Sequence, residues 1–238
     1  MVETAYRISD RPSVVRYPRA AAYGAEVLKD LFNTELVRGE LPSRGTALPI
    51  GKGRVVRRGR ADAAYTACVL SIGTRLHDSV LAARSLEALH GDLGVTVADA
   101  RFMKPLDEEL IAELARSHDV LVTVEEGSKG GFGNHVLHYL SEAGILDGGA
   151  AVVRSMVIPD IWIEQGTQKE QYDIAGLDEA HIAAKVASLV QTVRARAEQR
   201  HSNRDEQVSS TGSQATLTSG GSTVGVFTAT APFQQPLE

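Results

Sequence analysis

Four short apolar runs, each followed or preceded by a stretch in which apolar residues recur every three or four positions, limit what this chain can fold into. The runs are Cys-Val-Leu-Ser-Ile-Gly at residues 68–73, Val-Thr-Val-Ala-Asp at 95–99, Val-Leu-Val-Thr-Val at 120–124 and Ala-Val-Val-Arg-Ser-Met at 151–156. A strand with one wet face alternates apolar and polar residues, so unbroken runs of this length belong to strands covered on both faces. Leu76, Val80, Ala83, Leu86 and Leu89 mark one helical stripe between the runs. Leu110, Ile111 and Leu114 mark a second, Val136, Leu137 and Leu140 a third, and Ile182, Val186, Leu189 and Val190 the last. Asp107 and Asp178 stand where helix N-caps are expected, and Glu108 and Glu109 place negative charge in a first turn, where the helix dipole favours it. The order predicts an α/β fold, a mostly parallel sheet with helices on both faces.

The rest of the chain reads differently. Val14-Val15-Arg16-Tyr17-Pro18-Arg19 has the pattern of a strand running out into a loop, with no earlier strand to pair with, so residues 1–24 read as the end of something. Residues 25–64 are polar and broken by Pro42, Gly45, Pro49, Gly51 and Gly53, the composition of a surface linker. Residues 65–199 carry the α/β pattern. Residues 200–238 are rich in Ser, Thr, Gly and Gln and read as a disordered tail.

Composition excludes several classes. With 25 basic and 30 acidic residues the formal charge is −5, and no basic block exists to track a phosphate backbone, so nucleic acid is not an expected partner. The single cysteine, Cys68, excludes an internal disulfide framework and a Cys-x-x-Cys zinc site. No apolar run approaches the roughly 20 residues of a membrane-spanning helix, and no secretion leader is visible. A cytoplasmic protein with no membrane partner is expected.

Candidate chemistry is sparse. The turn Gly127-Ser128-Lys129-Gly130-Gly131-Phe132-Gly133 follows a strand and opens a helix, so its amides either cradle an anion or form a structural tight turn. Glu125 and Glu126 end the third run. Strand alternation sends them to opposite faces, so they are not a facing carboxylate pair; one is expected to buttress a loop, the other to meet solvent or a partner. His135, His138 and Glu142 have a helical spacing open to a metal but lack a further ligand, whereas His77, His118 and His181 sit near helix ends as caps or surface residues. Arg16 and Arg19 flank Tyr17-Pro18 in an extended segment. They are either solvated surface residues or a planar fork for carboxylate or phosphate.

Several motifs taken together resemble the 1-deoxy-D-xylulose-5-phosphate synthases, thiamine-diphosphate enzymes of the transketolase superfamily. They are Val15-Arg-Tyr-Pro-Arg19, Leu48-Pro-Ile-Gly-Lys-Gly53, Asp99-Ala-Arg-Phe-Met-Lys-Pro-Leu-Asp107, Val122-Thr-Val-Glu-Glu-Gly127, Gly130-Gly-Phe-Gly133, Ile158-Pro-Asp160 and Gln165-Gly-Thr-Gln168. Their order matches the final third of such an enzyme from about residue 13 to about residue 192. One departure is Arg19-Ala20, where the family has Arg-Gly. The resemblance implies a three-layer α/β/α sandwich of the transketolase C-terminal type at residues 65–199, with one antiparallel strand and a share in a homodimer. It implies that residues 1–24 end a pyrimidine-binding domain. It also implies that Arg19 binds the phosphate of glyceraldehyde 3-phosphate, with Arg16 supporting the loop or sharing that contact.

The complete enzyme of that family condenses pyruvate with this aldehyde, with loss of carbon dioxide, on thiamine diphosphate and magnesium. The magnesium motif and the cofactor-activating glutamate have no counterpart in this sequence, so no catalytic, cofactor-binding or metal-binding residue is assigned to it. The expected partners are the missing N-terminal domains, or a separate chain carrying them. The alternative reading is a non-catalytic dimerisation or docking module derived from such an enzyme.

Overall fold

The structure is a computed structural model that describes residues 1–18, 21–32, 40, 44–149 and 151–214. The chain divides into two units, Met1–Ala195 and Arg196–Glu238. The first holds the sheet, and the described part of the second is helical.

Five strands form the sheet: β1 (Arg54–Arg57), β2 (Tyr65–Ser71), β3 (Leu93–Asp99), β4 (Val120–Val124) and β5 (Val152–Met156). Their spatial order is β1-β3-β2-β4-β5, and every pairing is parallel except that of β1 with β3. The unbroken apolar runs follow from this position. In β2, Ala67 and Val69 face one core cluster while Cys68 and Leu70 face another, and all four are completely buried. Burial pushes the Cys68 thiol far up, which keeps it an inert packing residue.

Helix α3 (Leu76–Leu89) and helix α7 (Glu179–Gln214) supply the first cluster, through residues such as Val80, Leu86, Ile182 and Val186. Helices α4 (Glu108–Ser117) and α5 (Phe132–Glu142) supply the second on the opposite face, through Ile111, Leu114, Phe132, Val136 and Leu140. The result is the expected α/β/α sandwich. Asp107 caps α4, its carboxylate accepting the Leu110 N–H, and Asp178 accepts the His181 N–H at the start of α7.

Several expectations need correction. Among the described residues, 14–18 belong to no strand, and residues 19 and 20 lie outside the described residues. Helix α1 (Val2–Arg7) precedes them unforeseen. The segment 25–64 is more than a linker. It contains helix α2 (Ala25–Phe32) and β1, whose four residues are too few for any periodicity to show. Two acidic side chains tie it down: the Asp107 carboxylate accepts the Gly53 N–H and pairs with Lys52 Nζ at 3.1 Å, and Glu109 takes the same ammonium at 3.0 Å. The last two residues of the Leu-Pro-Ile-Gly-Lys-Gly motif, Lys52 and Gly53, are therefore a clasp onto the start of α4. Leu89, expected on the inner stripe of α3, is exposed at its end. Helix α6 (Gln168–Ala175) has no buried residue and left no apolar stripe to read; a Thr167–Glu170 capping box starts it and Gly176 in the left-handed region ends it. Helix α7 continues to Gln214, past the expected end near residue 199, and residues 215–238 of the expected tail lie outside the described residues. Among the described residues, no helix is long and apolar enough to cross a membrane.

Candidate functional site

In a parallel α/β sheet, a crevice opens at the carboxyl ends of the strands where the chain direction across the sheet reverses. Here β3 lies on one side of β2 and β4 on the other, so the reversal falls at the carboxyl end of β2. A cavity of about 690 Å³ occupies that place, lined by Ile72–Thr74 after β2, Asp99 at the end of β3 and Arg101 beyond it, and Glu125–Gly127 after β4. The N-terminal arm closes one side with Val15, Arg16, Tyr17 and Pro18.

Glu125 and Glu126 diverge as strand alternation requires. Glu125 is buried, and its two carboxylate oxygens accept the Phe132 and Gly133 N–H groups, each at 2.9 Å. The chain's own carboxylate thus supplies the anion at the N-terminus of α5, which settles the glycine turn as structural. Gly131 is required by the closeness of this contact: a Cβ there would fall 2.4 Å from Glu125 Oε2. Glu126 turns toward the cavity, where its carboxylate accepts hydrogen bonds from the Thr74 and Tyr172 hydroxyls and lies 3.5 Å from Arg75 Nε. Arg75 is buried. It also pairs with Asp78 at 3.2 Å, donates to the Leu177 carbonyl, and lies over the Tyr172 ring with 3.4 Å between guanidinium carbon and centroid. Burial, and then the Glu126 hydrogen bond, push the Tyr172 phenol up, so it stays a donor.

The opposite wall is cationic. Asp99 lies opposite Arg54 in the β1–β3 register, and one of its oxygens is 3.6 Å from Arg54 Nε and 3.8 Å from Arg101 Nε. Burial pushes the Asp99 carboxyl up despite both guanidinium groups, while burial and the like charge of Arg54 lower the Arg101 guanidinium. Arg101 holds φ +57°, a left-handed conformation uncommon for a non-glycine residue, stabilised by its N–H donating to Asp99 Oδ1 at 3.1 Å. Among the described residues, the buried Arg54 Nε has no hydrogen-bond partner. Arg16, Arg54 and Arg101 line one wall of the cavity, with Asp99 between the latter two, and Glu125 and Glu126 belong to the same lining.

Of the sequence candidates, Arg16 lies at the cavity and Arg19 lies outside the described residues. Arg54, Asp99, Arg101, Arg75 and Tyr172 were not foreseen as site residues; the only sequence trace was an Asp99-Ala100-Arg101 step straight after a buried run. His118 is the C-cap of α4, as expected of a residue at a helix end: its Nδ1 meets the Leu114 carbonyl in the last turn at 3.0 Å and its Nε2 the Thr96 hydroxyl at 2.8 Å. Among the described residues the one trio of close metal-capable donors is Asp173, Asp178 and His181, away from the cavity lining, where Asp178 already caps α7, and His135, His138 and Glu142 form no such group.

The family of the transketolase C-terminal domain matches residues 51–182, more than half of the chain. The chain belongs to that family. Its match starts at the clasp onto α4 and takes in the whole sheet and most of the cavity. The chain is also similar to a split-gene transketolase solved as an inactive β4 tetramer, with 26% sequence identity and a TM-score of 0.52 over 61% of this chain. It spans 44% of that protein's length. A transketolase mutant from Pichia stipitis in complex with xylulose 5-phosphate is 15% identical, with a TM-score of 0.43 over 61% of this chain and 19% of its own. Transketolase-superfamily membership therefore joins the α/β/α architecture as a property of this chain.

Proposed function

We propose that this chain is the C-terminal portion of a 1-deoxy-D-xylulose-5-phosphate synthase. In this reading it contributes the wall that binds the phosphate of glyceraldehyde 3-phosphate. Pyruvate chemistry, thiamine diphosphate and magnesium belong to domains carried elsewhere, in a preceding segment or a separate chain. The observation that carries the reading is the arginine-lined cavity at the carboxyl ends of β2, β3 and β4, with Arg16 of the Arg-Tyr-Pro-Arg segment on its rim. A phosphate dianion pairs with a guanidinium through two charge-assisted hydrogen bonds, which suits this wall better than a neutral ligand does. The split-gene transketolase, whose β chain assembles with itself in an inactive form, supports both the need for a further chain and a homodimer or larger homo-oligomer of this one.

The test uses this chain mixed with the separately expressed N-terminal two-thirds of a complete synthase. Arg19→Ala and Arg101→Ala are compared with the parent using glyceraldehyde 3-phosphate and unphosphorylated glyceraldehyde as acceptors. Loss of a phosphate contact is expected to cost about 2–4 kcal/mol, roughly 30- to 1,000-fold in kcat/KM, for the phosphorylated acceptor only. An equal loss with both acceptors assigns the arginines to loop support. A mixture that forms a complex without any condensation activity favours the non-catalytic docking module.

A further inference from the structure

We propose that Glu126 is a specificity-determining residue of the cavity. Its carboxylate accepts a hydroxyl of a ligand whose phosphate lies on the arginine wall, and it repels ligands that carry a second anionic group at that end. The inference rests on the reading of that wall as a phosphate site.

Three carboxylates line the cavity, Asp99, Glu125 and Glu126, and their oxygens are not equally free. Glu125 gives one oxygen to the Phe132 N–H and the other to the Gly133 N–H. Asp99 gives Oδ1 to the Arg101 N–H and Oδ2 to the two guanidinium groups beside it. In Glu126, by contrast, every contact falls on Oε1. That oxygen accepts the hydroxyls of Thr74 and Tyr172 and is the one 3.5 Å from Arg75 Nε. Among the described residues, Oε2 has no partner. The donors come from two places in the chain, the turn Gly73–Arg75 after β2 and helix α6, so the carboxylate is gripped at one oxygen from two directions. Little side-chain freedom is left for Glu126 to lose when its second oxygen takes a ligand. The grip does not close it off: the Glu126 side chain keeps 25% exposure, against 5% for Arg75.

The chemistry of the ligand follows from this geometry. An ionised carboxylate only accepts, so the group that meets Oε2 is a donor. On the proposed acceptor that donor is a hydroxyl. An anionic group in the same place meets a repulsive charge, because Arg75 does not fully offset Glu126. The same guanidinium lies 3.2 Å from Asp78 and is divided between two carboxylates. Rejection of a doubly anionic ligand therefore comes from the repulsion and from the lost hydrogen bond together. A volume of about 690 Å³ is in the range of small-molecule sites and has room for a short carbon chain as well as the phosphate.

Calorimetry on the full chain with three unreactive probes tests this. They are glycerol 3-phosphate, with phosphate and hydroxyls; propyl phosphate, with phosphate alone; and 3-phosphoglycerate, with a carboxylate at the far end. The parent is expected to bind glycerol 3-phosphate at least about tenfold more tightly than either of the others. Glu126→Gln keeps an oxygen for Thr74 and Tyr172 but loses the charge, and is expected to bind all three within about threefold of one another. Arg101→Ala is expected to weaken all three together. The parent's ranking needs no variant, so a poorly folded Glu126→Gln leaves the proposal open to refutation. It is overturned if the parent binds glycerol 3-phosphate and propyl phosphate equally, if Glu126→Gln at the parent melting temperature keeps the parent's ranking, or if no probe binds. The ranking with its loss in Glu126→Gln, found for a chain that stays inactive with the N-terminal two-thirds of a synthase, leaves the subsite standing and sinks the proposed function. An active mixture in which Arg101→Ala impairs only the phosphorylated acceptor, with a parent that does not rank the probes, does the reverse.

Discussion

Both oxygens of Glu125 are engaged by the first amides of α5, so removing them strands two buried donors beside the cavity. Glu125→Ala is expected to lower stability by about 3 kcal/mol in urea unfolding, and Glu125→Gln, which keeps one acceptor, by about 1–2 kcal/mol. Parent-like stability in both would mean that the turn is held by other contacts. His118 gives a pH dependence of known sign. Burial holds its imidazole below the ordinary value of 6.5, against the opposing pull of the Leu114 carbonyl and the charges of Asp119 and Glu113. With the folded pKa depressed, its contribution is fully present above about pH 6.5 and is lost as pH falls through the folded value, because the unfolded chain takes up the proton first. His118→Gln is therefore expected to flatten the fall in stability between about pH 7.5 and 5.5 relative to the parent. An unchanged slope would place the proton uptake on another group. Asp78 and Asp99, pushed up by burial, have the opposite sign: their contribution is present in acid and lost as pH rises through their folded values. At this scale the sequence showed that Glu125 and Glu126 diverge, since a period of two suffices for that. It did not show the Arg54–Asp99–Arg101 cluster, because the antiparallel register that sets Arg54 opposite Asp99 joins residues 45 positions apart and Arg101 acts through a left-handed backbone.

Element by element, legibility followed burial. β2, β4, α3, α5 and the start of α7 were readable because two-sided strands and helical stripes repeat over enough residues to give a period. β1 and α6 were not, since four residues give no period and a helix with no buried residue has no stripe. α6 is held instead by its capping box and by Tyr172, which carries its hydroxyl to Glu126 and its ring to Arg75. Tyr172→Phe keeps the ring on the guanidinium and removes the hydroxyl. Faster amide exchange is expected across residues 168–175 with β2 and β4 unchanged, and a global loss of no more than about 1 kcal/mol. If exchange across α6 stays at parent rates, the cation–π contact alone docks the helix. If exchange rises across the whole sheet, α6 is part of the cooperative core.

For the molecule as a whole, the sheet is the shared wall between two apolar clusters that have no residue in common. The α/β/α order follows from that division, and the cavity sits at the end of the sheet where both layers terminate rather than within either. Substitutions in the two clusters are expected to act independently in energy, although they report on one cooperative unfolding step. Ile182→Val on α7 and Ile111→Val on α4 each remove one buried methylene and are expected to cost about 0.5–1.5 kcal/mol. The two sites face opposite sides of the sheet with no shared cluster partner, so the double variant is expected to equal the sum within about 0.5 kcal/mol. Ile111→Val with Leu114→Ala places both changes on one face of α4 within one cluster, and there a departure from additivity of at least that size is expected. Urea unfolding of the three single and two double variants, followed by far-ultraviolet circular dichroism, reads both sums. Strong coupling between positions 111 and 182 would show that strain crosses the sheet, and the two faces would then have to be treated as one core.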